Sequence, residues 1–306
     1  MLITSAQVLS QITMNQAISA VEHAIARLGA GHVGAPVSLG VAVANGTFHV
    51  KACASASPDQ ANIFVAKINA NFPANPRTGR PTIQGAIAVF DTRNGDILAM
   101  VDSPSVTSLR TAATTGVVIR HLAPDNARVA TVVGCGALGR FHIEAFKACG
   151  IDRIFVFDKE SARAATVAAW AREDLGIDCE ATDDMRRATR QSRVIVTCTP
   201  SRDPFLSRDD VSPGTLIAAV GADNESKSEI EPALLSVARV VTDLTAQCLK
   251  YGDLRKLPLK VVCGELTDVV AGRVARTAAE EIVIFDSTGL AVQDLALCEL
   301  LVSPAA

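Results

Sequence analysis

A glycine-rich turn lies between an apolar run and a predicted helix in residues 128–146, RVATVVGCGALGRFHIEAF. Gly134, Gly136 and Gly139 match the pattern GxGxxG. In this pattern the first glycine allows a tight turn, the second lets a pyrophosphate approach the backbone, and the third lets helix and strand pack closely. A helix that begins at Ala137 would direct free N–H groups and its dipole at the phosphates. The motif therefore predicts a dinucleotide site.

An acid that could bind the adenosine ribose follows the next predicted strand. That strand is RIFVF, residues 153–157, and Asp158 follows it at close to the usual spacing of about 20 residues from the turn. An acid here favours NAD(H). Lys159 and Arg163 are near enough in sequence to contact a 2′-phosphate, so NADP(H) remains an alternative. Asp158 could also be an ordinary solvated acid at a strand end.

Two later loops are expected to line the nicotinamide and the substrate, because ligands bind beyond the carboxyl ends of parallel strands. One is CTPSRDP, which contains Thr199, and the other is VGADNES. In the second loop Gly221 permits a sharp exit from the strand, and Asp223 places a carboxylate where the strand stops. The alternative interpretation of Asp223 is a loop acid without a function.

Two early strands each carry one lysine. Alternation in GTFHVKACAS places Lys51 on the same face as His49, and alternation in NIFVAKINAN separates Lys67 from its apolar neighbours. This face could simply be solvated, as one side of an antiparallel sheet often is. Between residues 27 and 77, however, the chain has no other permanent cation. A carboxylate bound to this sheet would therefore be held by lysine.

The first third of the chain reads as a helix followed by antiparallel strands. Met14–Leu28 has one apolar helical stripe, and residues 36–102 consist of short β-rich runs. Asn45-Gly46 and Asn94-Gly95 separate neighbouring runs, and Asn-Gly is a strong hairpin signal.

After Thr107 strands alternate with helices, which predicts βαβ units and a parallel sheet. Gly289–Leu301 reads as a closing helix. The expected strands are residues 128–133, 153–157, 193–199, 215–220, 239–243 and 281–286. The predicted fold class is α/β, with a Rossmann-type parallel-sheet domain and an α+β domain whose sheet is mainly antiparallel.

The composition limits the classes of partner. The 306 residues are 49% hydrophobic and 20% charged, which is enough apolar material for about two packed domains. A net charge of −3 argues against nucleic acid as a partner. The chain shows neither a membrane-length apolar run nor the basic start of a secretory signal, so we expect a cytoplasmic protein without a membrane partner. The eight scattered cysteines and five histidines show no zinc-ligand spacing, which predicts free thiols and no metal.

Five segments together resemble the ornithine cyclodeaminase/mu-crystallin family: VAKINANFPANP, GRPTIQGAIAVFDTRNGDILAMVDS, VTSLRTAATTGVV, GCGALGRFHIEA and VGADNESKSEIE. They follow the order of the family through nearly the whole chain. The resemblance implies a homodimer in which residues 1–112 together with residues 288–306 form the substrate-binding and dimerisation domain. It implies that residues 113–287 form the Rossmann dinucleotide-binding domain between these two segments.

The resemblance also implies roles for individual residues. Lys67 matches the lysine for the substrate carboxylate, Thr82 and Arg110 match residues that contact the dinucleotide, and Asp223 matches the acid beside the substrate nitrogen. Arg110 could equally form an interdomain salt bridge. The cofactor set is Thr82, Arg110, Gly134, Gly136, Ala137, Leu138, Gly139, Asp158, Lys159 and Thr199. The substrate set is His49, Lys51 and Lys67, with Lys67 and Asp223 as the catalytic pair.

The chain departs from the ornithine cyclodeaminase pattern in its early strands. Enzymes of that type carry an arginine for the carboxylate and an acid for the distal amine, and PVSLGVAVANGTFHVKACAS has neither. GTFHVKA instead resembles the branch that reduces the cyclic ketimine Δ1-pyrroline-2-carboxylate to L-proline with NAD(H) or NADP(H). The alternatives are an ornithine cyclodeaminase, a dehydrogenase of alanine, another amino acid or an opine, and a non-catalytic binder similar to mu-crystallin.

Overall fold

The computed structural model describes residues 1–55, 62–257 and 261–302, which divide into two compact units. The first unit is Met1–Arg110 with Leu290–Ala306, and the second unit is Thr111–Gly289. The first has a mainly antiparallel sheet and the second has a parallel sheet, so the predicted fold class is confirmed.

The described strands, in chain order, are β1 (Leu2–Ile3), β2 (Val37–Val43), β3 (Gly46–Ala54), β4 (Ile63–Asn71), β5 (Ile83–Asp91), β6 (Ile97–Asp102), β7 (Val129–Val133), β8 (Arg153–Phe157), β9 (Asp178–Ala181), β10 (Val194–Thr197), β11 (Leu216–Ala219), β12 (Arg239–Thr242), β13 (Val262–Glu265) and β14 (Val283–Asp286). The described α-helices are α1 (Ser5–Gln11), α2 (Met14–Gly29), α3 (Ser103–Leu122), α4 (Ala137–Ala148), α5 (Ser161–Leu175), α6 (Met185–Gln191), α7 (Pro232–Val237), α8 (Thr245–Tyr251), α9 (Leu266–Val270) and α10 (Ala291–Val302). Short 3₁₀ turns lie at Asn75–Thr78, Arg208–Asp210 and Asp253–Lys256.

The sheet of the first unit has the order β1-β6-β5-β4-β3-β2. Neighbours from β2 to β6 are antiparallel, and β1 is parallel to β6. Lys51 on β3 pairs directly with Lys67 on β4, so the two side chains project from the same face. Helix α10 packs against β3, β4 and α2. One face of the sheet is thus covered by the C-terminal helix.

A buried ion pair joins α2 to α10. The guanidinium of Arg27 donates two hydrogen bonds to the carboxylate of Glu299, at 2.8 and 2.9 Å, and a third to Ser55. Paired geometry of this kind satisfies a buried guanidinium, whereas an unpaired one would be costly. The pair fixes the position of α10 on the first unit.

The opposite face of this sheet is apolar and exposed. Leu39 pairs with Val50, and Val50 pairs with Ile68, so these three side chains share the face that Lys51 and Lys67 do not. Leu39 is 56% and Ile68 is 51% exposed. Contiguous apolar surface of this kind usually marks an interaction site.

The hairpin expected at Asn45-Gly46 is displaced by one residue. Gly46 is the first residue of β3 and pairs with Val43, so the turn consists of Ala44 and Asn45. Glycine is required at position 46 by packing, because a Cβ atom there would lie 2.5 Å from the carbonyl oxygen of Asn71.

The sheet of the second unit has the order β13-β12-β14-β11-β10-β7-β8-β9, with every neighbouring pair parallel. Its central strands are buried on both faces, as helices on both sides of a parallel sheet require. Ile195, Ile217 and Ile284 lie in its core. Since all strands run the same way, their carboxyl ends meet at one edge, and β7, β8, β10 and β11 end there in the loops singled out above.

No described helix is both long enough and apolar enough to cross a membrane. All eight cysteines have free thiols.

Replacement by alanine should affect stability differently at two glycines of the first sheet. A Cβ atom at Gly85 would collide with the carbonyl oxygen of Ile68 and with the side chain of Asn69, whereas a Cβ atom at Gly40 would make only ordinary contact, 3.8 Å from His49. We expect Gly85→Ala to lower the free energy of unfolding by about 1–3 kcal/mol, the usual cost of overpacking. Gly40→Ala should be neutral or slightly stabilising. Urea unfolding checks both, and equal midpoints would contradict the β4–β5 pairing.

Candidate dinucleotide and substrate sites

The three glycines of the turn between β7 and α4 meet three different surroundings. Gly134 has φ +110°, and a Cβ atom there would lie 2.9 Å from the carbonyl oxygen of Cys198. A Cβ atom at Gly139 would collide with the carbonyl oxygen of Gly134, while one at Gly136 would have no neighbour within 4 Å. The first glycine thus serves the turn and the third serves helix packing. The open space at the second is the approach that a pyrophosphate needs.

Helix α4 begins at Ala137, followed by Leu138, with Gly136 at its N-cap and no side chain capping it. A cleft of about 400 Å³ lies beside this helix start. Arg140 and Arg163 bring the positive charge to its lining. A helix N-terminus next to guanidinium groups favours an anionic ligand.

The structure brings Asp158 to the glycine turn. One carboxylate oxygen accepts the backbone N–H of Cys135 at 2.8 Å, and the other accepts that of Glu160 at 2.9 Å. The acid therefore holds the turn against the end of β8. Lys159 is exposed beside it, and Arg163 pairs with Glu160 at 3.0 Å.

Thr199 lies next to the same turn, because a Cβ atom on Gly134 would be 3.1 Å from its methyl group. Its backbone N–H and its hydroxyl both donate to the carboxylate of Glu229, at 2.6 and 2.7 Å. The same carboxylate accepts the hydroxyl of Thr197 at 2.7 Å and the backbone N–H of Gly221 at 2.9 Å. Glu229 thus ties together the loops that follow β10 and β11.

Glu229 carries no compensating cation among these contacts and is 0% exposed. Burial raises its pKa to about 7, and the hydroxyls of Thr199 and Thr197 oppose that shift. Asp253 is also buried and also has a raised pKa because of burial, and it accepts the N–H of Glu229 at 2.9 Å. Burial raises the pKa of Asp286, at the end of β14, well above its ordinary value. This edge of the sheet therefore contains three acids, Glu229, Asp253 and Asp286, whose pKa is raised by burial.

Asp223 lies on the loop after β11, where the sequence predicted a carboxylate. Its side chain is 48% exposed and forms an ion pair with Lys227 at 2.8 Å. Asn224 donates to the same carboxylate at 3.2 Å.

Lys67, in the first unit, is only 3% exposed, so the alternative of a solvated face is wrong at this position. Its ammonium group lies 2.8 and 2.7 Å from the two carboxylate oxygens of Asp294 on α10 and donates to the hydroxyl of Thr107 at 3.3 Å. Burial lowers the pKa of Lys67 to about 7, against the attraction of Asp294, and the charges of Arg110 and Lys51 lower it further.

Arg110 lies in the same cluster. It donates to the side-chain carbonyl of Gln293 at 2.7 Å, and its Nε lies 3.5 Å from the carboxylate of Asp294. These contacts lie within the first unit. The dinucleotide contact expected of Arg110 and of Thr82, which directly precedes β5, stays a prediction.

Lys51 and His49 lie on β3, on the face that carries Lys67, and both are half-buried. The imidazole Nε2 of His49 is 3.2 Å from the hydroxyl of Thr47. In this unit the structure therefore brings together Lys51, Lys67 and Arg110, which the sequence had assigned from separate segments.

Two residues of these sites were absent from the sequence-based set. Asp294 and Glu229 are both fully buried carboxylates. The signal for Asp294 was the pair Gln293 and Asp294 inside the otherwise apolar stretch LAVQDLAL. Buried polar groups need hydrogen-bond or ion-pair partners. Two polar residues in a helix that is apolar on every side therefore indicate a polar site inside the protein. Glu229 had no comparable signal, because its segment is rich in charged residues.

The fold and the turn define a two-unit α/β protein with a Rossmann-type unit. The family model described as the ornithine cyclodeaminase/mu-crystallin family matches residues 1–303. The chain therefore belongs to this family, and the resemblance noted from its motifs is confirmed. Alanine dehydrogenase of Archaeoglobus fulgidus is 32% identical over 98% of this chain and 93% of its own length.

Solved structures agree with this placement. An archaeal alanine dehydrogenase dimer with bound NAD is 30% identical, with a TM-score of 0.92 over 98% of this chain and 94% of that chain. Iminosuccinate reductase of Paracoccus denitrificans in complex with NAD⁺ is 28% identical, with a TM-score of 0.86 over 98% and 94%. Δ1-pyrroline-2-carboxylate reductase of Thermococcus litoralis, in complex with NADH and L-proline, shares the fold at 24% identity, with a TM-score of 0.93 over 98% and 95%.

The ionisation of Glu229 should oppose folding. Its pKa rises from 4.5 towards about 7 on folding. The stability that its protonated form contributes is therefore complete below pH 4.5 and is lost as the pH rises through about 7. In Glu229→Gln, which cannot ionise, we expect this part of the pH dependence to disappear, a difference of at most about 3 kcal/mol.

The measurement is urea unfolding of both proteins across this pH range. Glu225→Gln makes the same change at an exposed acid of the same segment and should leave the slope unaltered. Parallel stability curves for the wild type and Glu229→Gln would contradict the assignment.

Proposed function

We propose that this chain is an NAD(P)H-dependent oxidoreductase that reduces the C=N bond of a small imino acid to the amine. The observation that carries this proposal is the direct pairing of Lys51 with Lys67 in the first unit, combined with a glycine turn in the second unit that leaves open space at Gly136. The first arrangement suits a carboxylate and the second suits a dinucleotide. The names of the relatives, a dehydrogenase and two reductases, support the same class of reaction.

The cofactor is NAD(H) or NADP(H). NAD or NADH in three similar structures supports a nicotinamide dinucleotide. Asp158 favours NAD(H), while Arg140 and Arg163 would also suit a 2′-phosphate. When bound, the nicotinamide supplies or accepts the hydride.

The residues of the chain place and polarise the substrate. Lys51 and Lys67 would hold its carboxylate, with each charge-assisted hydrogen bond contributing about 1.5–3 kcal/mol. Asp223 would stabilise the protonated imine, because a nearby opposite charge favours the cation, and would hold the proton at the substrate nitrogen. Lys227 already pairs with this carboxylate, which orients it. His49 is assigned to the pocket without a step in the reaction.

The first substrate candidate is Δ1-pyrroline-2-carboxylate, which would be reduced to L-proline. GTFHVKA in β3 favours it, and the Thermococcus litoralis enzyme shares the fold. The second candidate is an acyclic imino acid formed from a 2-oxo acid and ammonia. The 32% identity to an alanine dehydrogenase favours this candidate.

We also propose that two chains assemble into a homodimer through the first unit. The exposed apolar face of its sheet supports this assembly: Val37, Leu39, Val41, Val43 and Ile68. The archaeal alanine dehydrogenase of similar structure is a dimer. Burying such a face against a second copy would remove apolar surface from water.

The turn can be tested without the substrate. Gly136 has φ −75° and ψ −168°, an extended conformation that valine also adopts, and no atom lies within 4 Å of where a Cβ atom would be. Gly136→Val should therefore fold normally but fill the space needed by the pyrophosphate, so that the Kd for NADH and NADPH rises at least about tenfold. Nucleotide fluorescence titration measures binding, and urea unfolding measures stability.

Gly139→Ala is the contrasting variant, because its Cβ atom would collide with the backbone at Gly134. This variant should therefore have a lower free energy of unfolding than the wild type, unlike Gly136→Val. Wild-type affinity in a folded Gly136→Val protein would show that the dinucleotide binds elsewhere.

The substrate class is tested by the oxidation of NADH and NADPH with a panel of compounds: Δ1-pyrroline-2-carboxylate, its six-membered homologue, and pyruvate or oxaloacetate with ammonium. Turnover of the cyclic compounds supports a ketimine reductase, and turnover only with the oxo acids supports an amino-acid dehydrogenase. Release of ammonia from L-ornithine with no net change in cofactor identifies a cyclodeaminase. NADH binding without any turnover identifies a binding protein.

With the substrate known, Lys51→Met should raise its KM by roughly 10- to 150-fold, corresponding to about 1.5–3 kcal/mol, with little change in the Kd for NADH. The half-buried position of Lys51 makes this variant the better test, because Lys67→Met would leave Asp294 buried without its partner. An unchanged KM in Lys51→Met would remove Lys51 from the carboxylate site.

A further inference from the structure

A buried ionic cluster lies between β4, α3 and α10 in the first unit. Lys67 from β4 contacts both carboxylate oxygens of Asp294, and Arg110 from α3 lies 3.5 Å from one of them. Asp294 is 0% exposed. A carboxylate in this position is costly to bury, and its contacts with cations offset that cost.

Helix α10 has other contacts that hold it in place besides this carboxylate. Its apolar residues Leu295 and Leu297 are buried, and Arg27 already ties the helix to α2 through Glu299. Replacing both members of a buried ion pair by apolar residues of similar volume is often neutral or stabilising. The buried charge of Asp294 is therefore better explained by the positioning of Lys67 than by helix packing.

The charges that face Lys67 come from three elements. Lys51 projects from β3, Arg110 from α3, and Asp294 from α10, where the thiol of Cys298 is also within electrostatic range. Burial and the two cations disfavour the ammonium form, and Asp294 opposes them. Like charges on directly paired strand positions repel each other, and Asp294 supplies a counter-charge to this pair.

We propose that Asp294 is a positioning residue for the substrate-carboxylate anchor. Its buried carboxylate favours the protonated form of Lys67 and holds the ammonium group on the face that also carries Lys51, where the hydroxyl of Thr107 accepts a further hydrogen bond. This inference rests on the proposed function, because it assigns the acid that maintains the proposed carboxylate site. The substrate class it implies is an imino acid that binds as the carboxylate anion.

The test is Asp294→Asn, which keeps the shape of the side chain and removes its charge. With the imino acid that the wild type reduces best, we expect KM near neutral pH to rise about tenfold or more, with a smaller change in kcat. The basic limb of the profile of kcat/KM against pH should move to lower pH by about one unit or more, because the attraction that keeps Lys67 protonated is lost.

Glu299→Gln is the matched control, since it makes the same carboxylate-to-amide change on the same helix but faces Arg27. It should lower stability and leave the pH limb in place. Asp294→Glu, which keeps the charge, should restore the limb even if KM stays raised. The inference is wrong if Asp294→Asn retains the wild-type profile, or if Glu299→Gln moves the limb equally.

A second measurement separates this inference from the proposed function. Lysine-selective NMR titration, with the signal assigned by its absence in Lys67→Met, reports the protonation of Lys67 directly. The midpoint should be lower in Asp294→Asn than in the wild type by about one unit or more. If the wild type proves inactive but the midpoint still shifts in Asp294→Asn, the proposed reductase activity is wrong and the role of Asp294 stands. If the midpoint is unchanged, the role of Asp294 is wrong.

Discussion

The first unit of this protein depends on one buried ion pair, that of Lys67 with Asp294. A lysine in the middle of a sheet, with a helix packed over it, must either lose its proton or gain a counter-charge. Here the counter-charge comes from α10, the last helix of the chain, and the contact lengths of 2.7 and 2.8 Å leave little freedom of position. The C-terminal helix is therefore part of the candidate site as well as part of the core, which explains why the first unit needs both ends of the chain.

The second unit solves a related problem at the carboxyl edge of its parallel sheet. Loops that leave neighbouring strands have backbone N–H groups without partners in the sheet, and these groups need acceptors. Glu229 accepts from Thr199 and Gly221, and Asp158 accepts from Cys135 in the glycine turn. Acids thus shape the edge that faces the proposed dinucleotide. Where they lie deep in the interior, as Glu229 does, their pKa is raised and the edge becomes sensitive to pH.

Much of this architecture could be predicted from periodicity, and the exceptions have physical reasons. The strand Arg153–Phe157 was predicted with the bounds that it has, because four apolar residues follow its first residue without interruption. The short edge strands β9 and β13 were missed, since each mixes apolar with charged residues and forms no apolar run, unlike the buried four-residue strands β10 and β11. Helix α3 begins at Ser103, before Thr107, from which the sequence predicted alternating helices and strands, and Asp102 accepts the N–H of Ser105 at this start. Alternation gave the common face of Lys51 and Lys67, but it could not reveal Asp294, because that contact joins residues 227 positions apart.

The same reasoning explains how one fold can be shared by relatives that are named for different imino and amino acids. A carboxylate is common to all such substrates, and here its proposed anchor is built from paired strand positions whose register cannot shift without moving every side chain of the strand to the other face. The proposed phosphate site is built from backbone at Gly134 and Gly136. Neither depends on the part of the substrate that distinguishes alanine from proline. We propose that this discrimination comes from other side chains of the candidate site. His49 is one candidate, because it lies on the face of the lysines but outside their ion-pair cluster, so that its replacement would leave both proposed anchors intact.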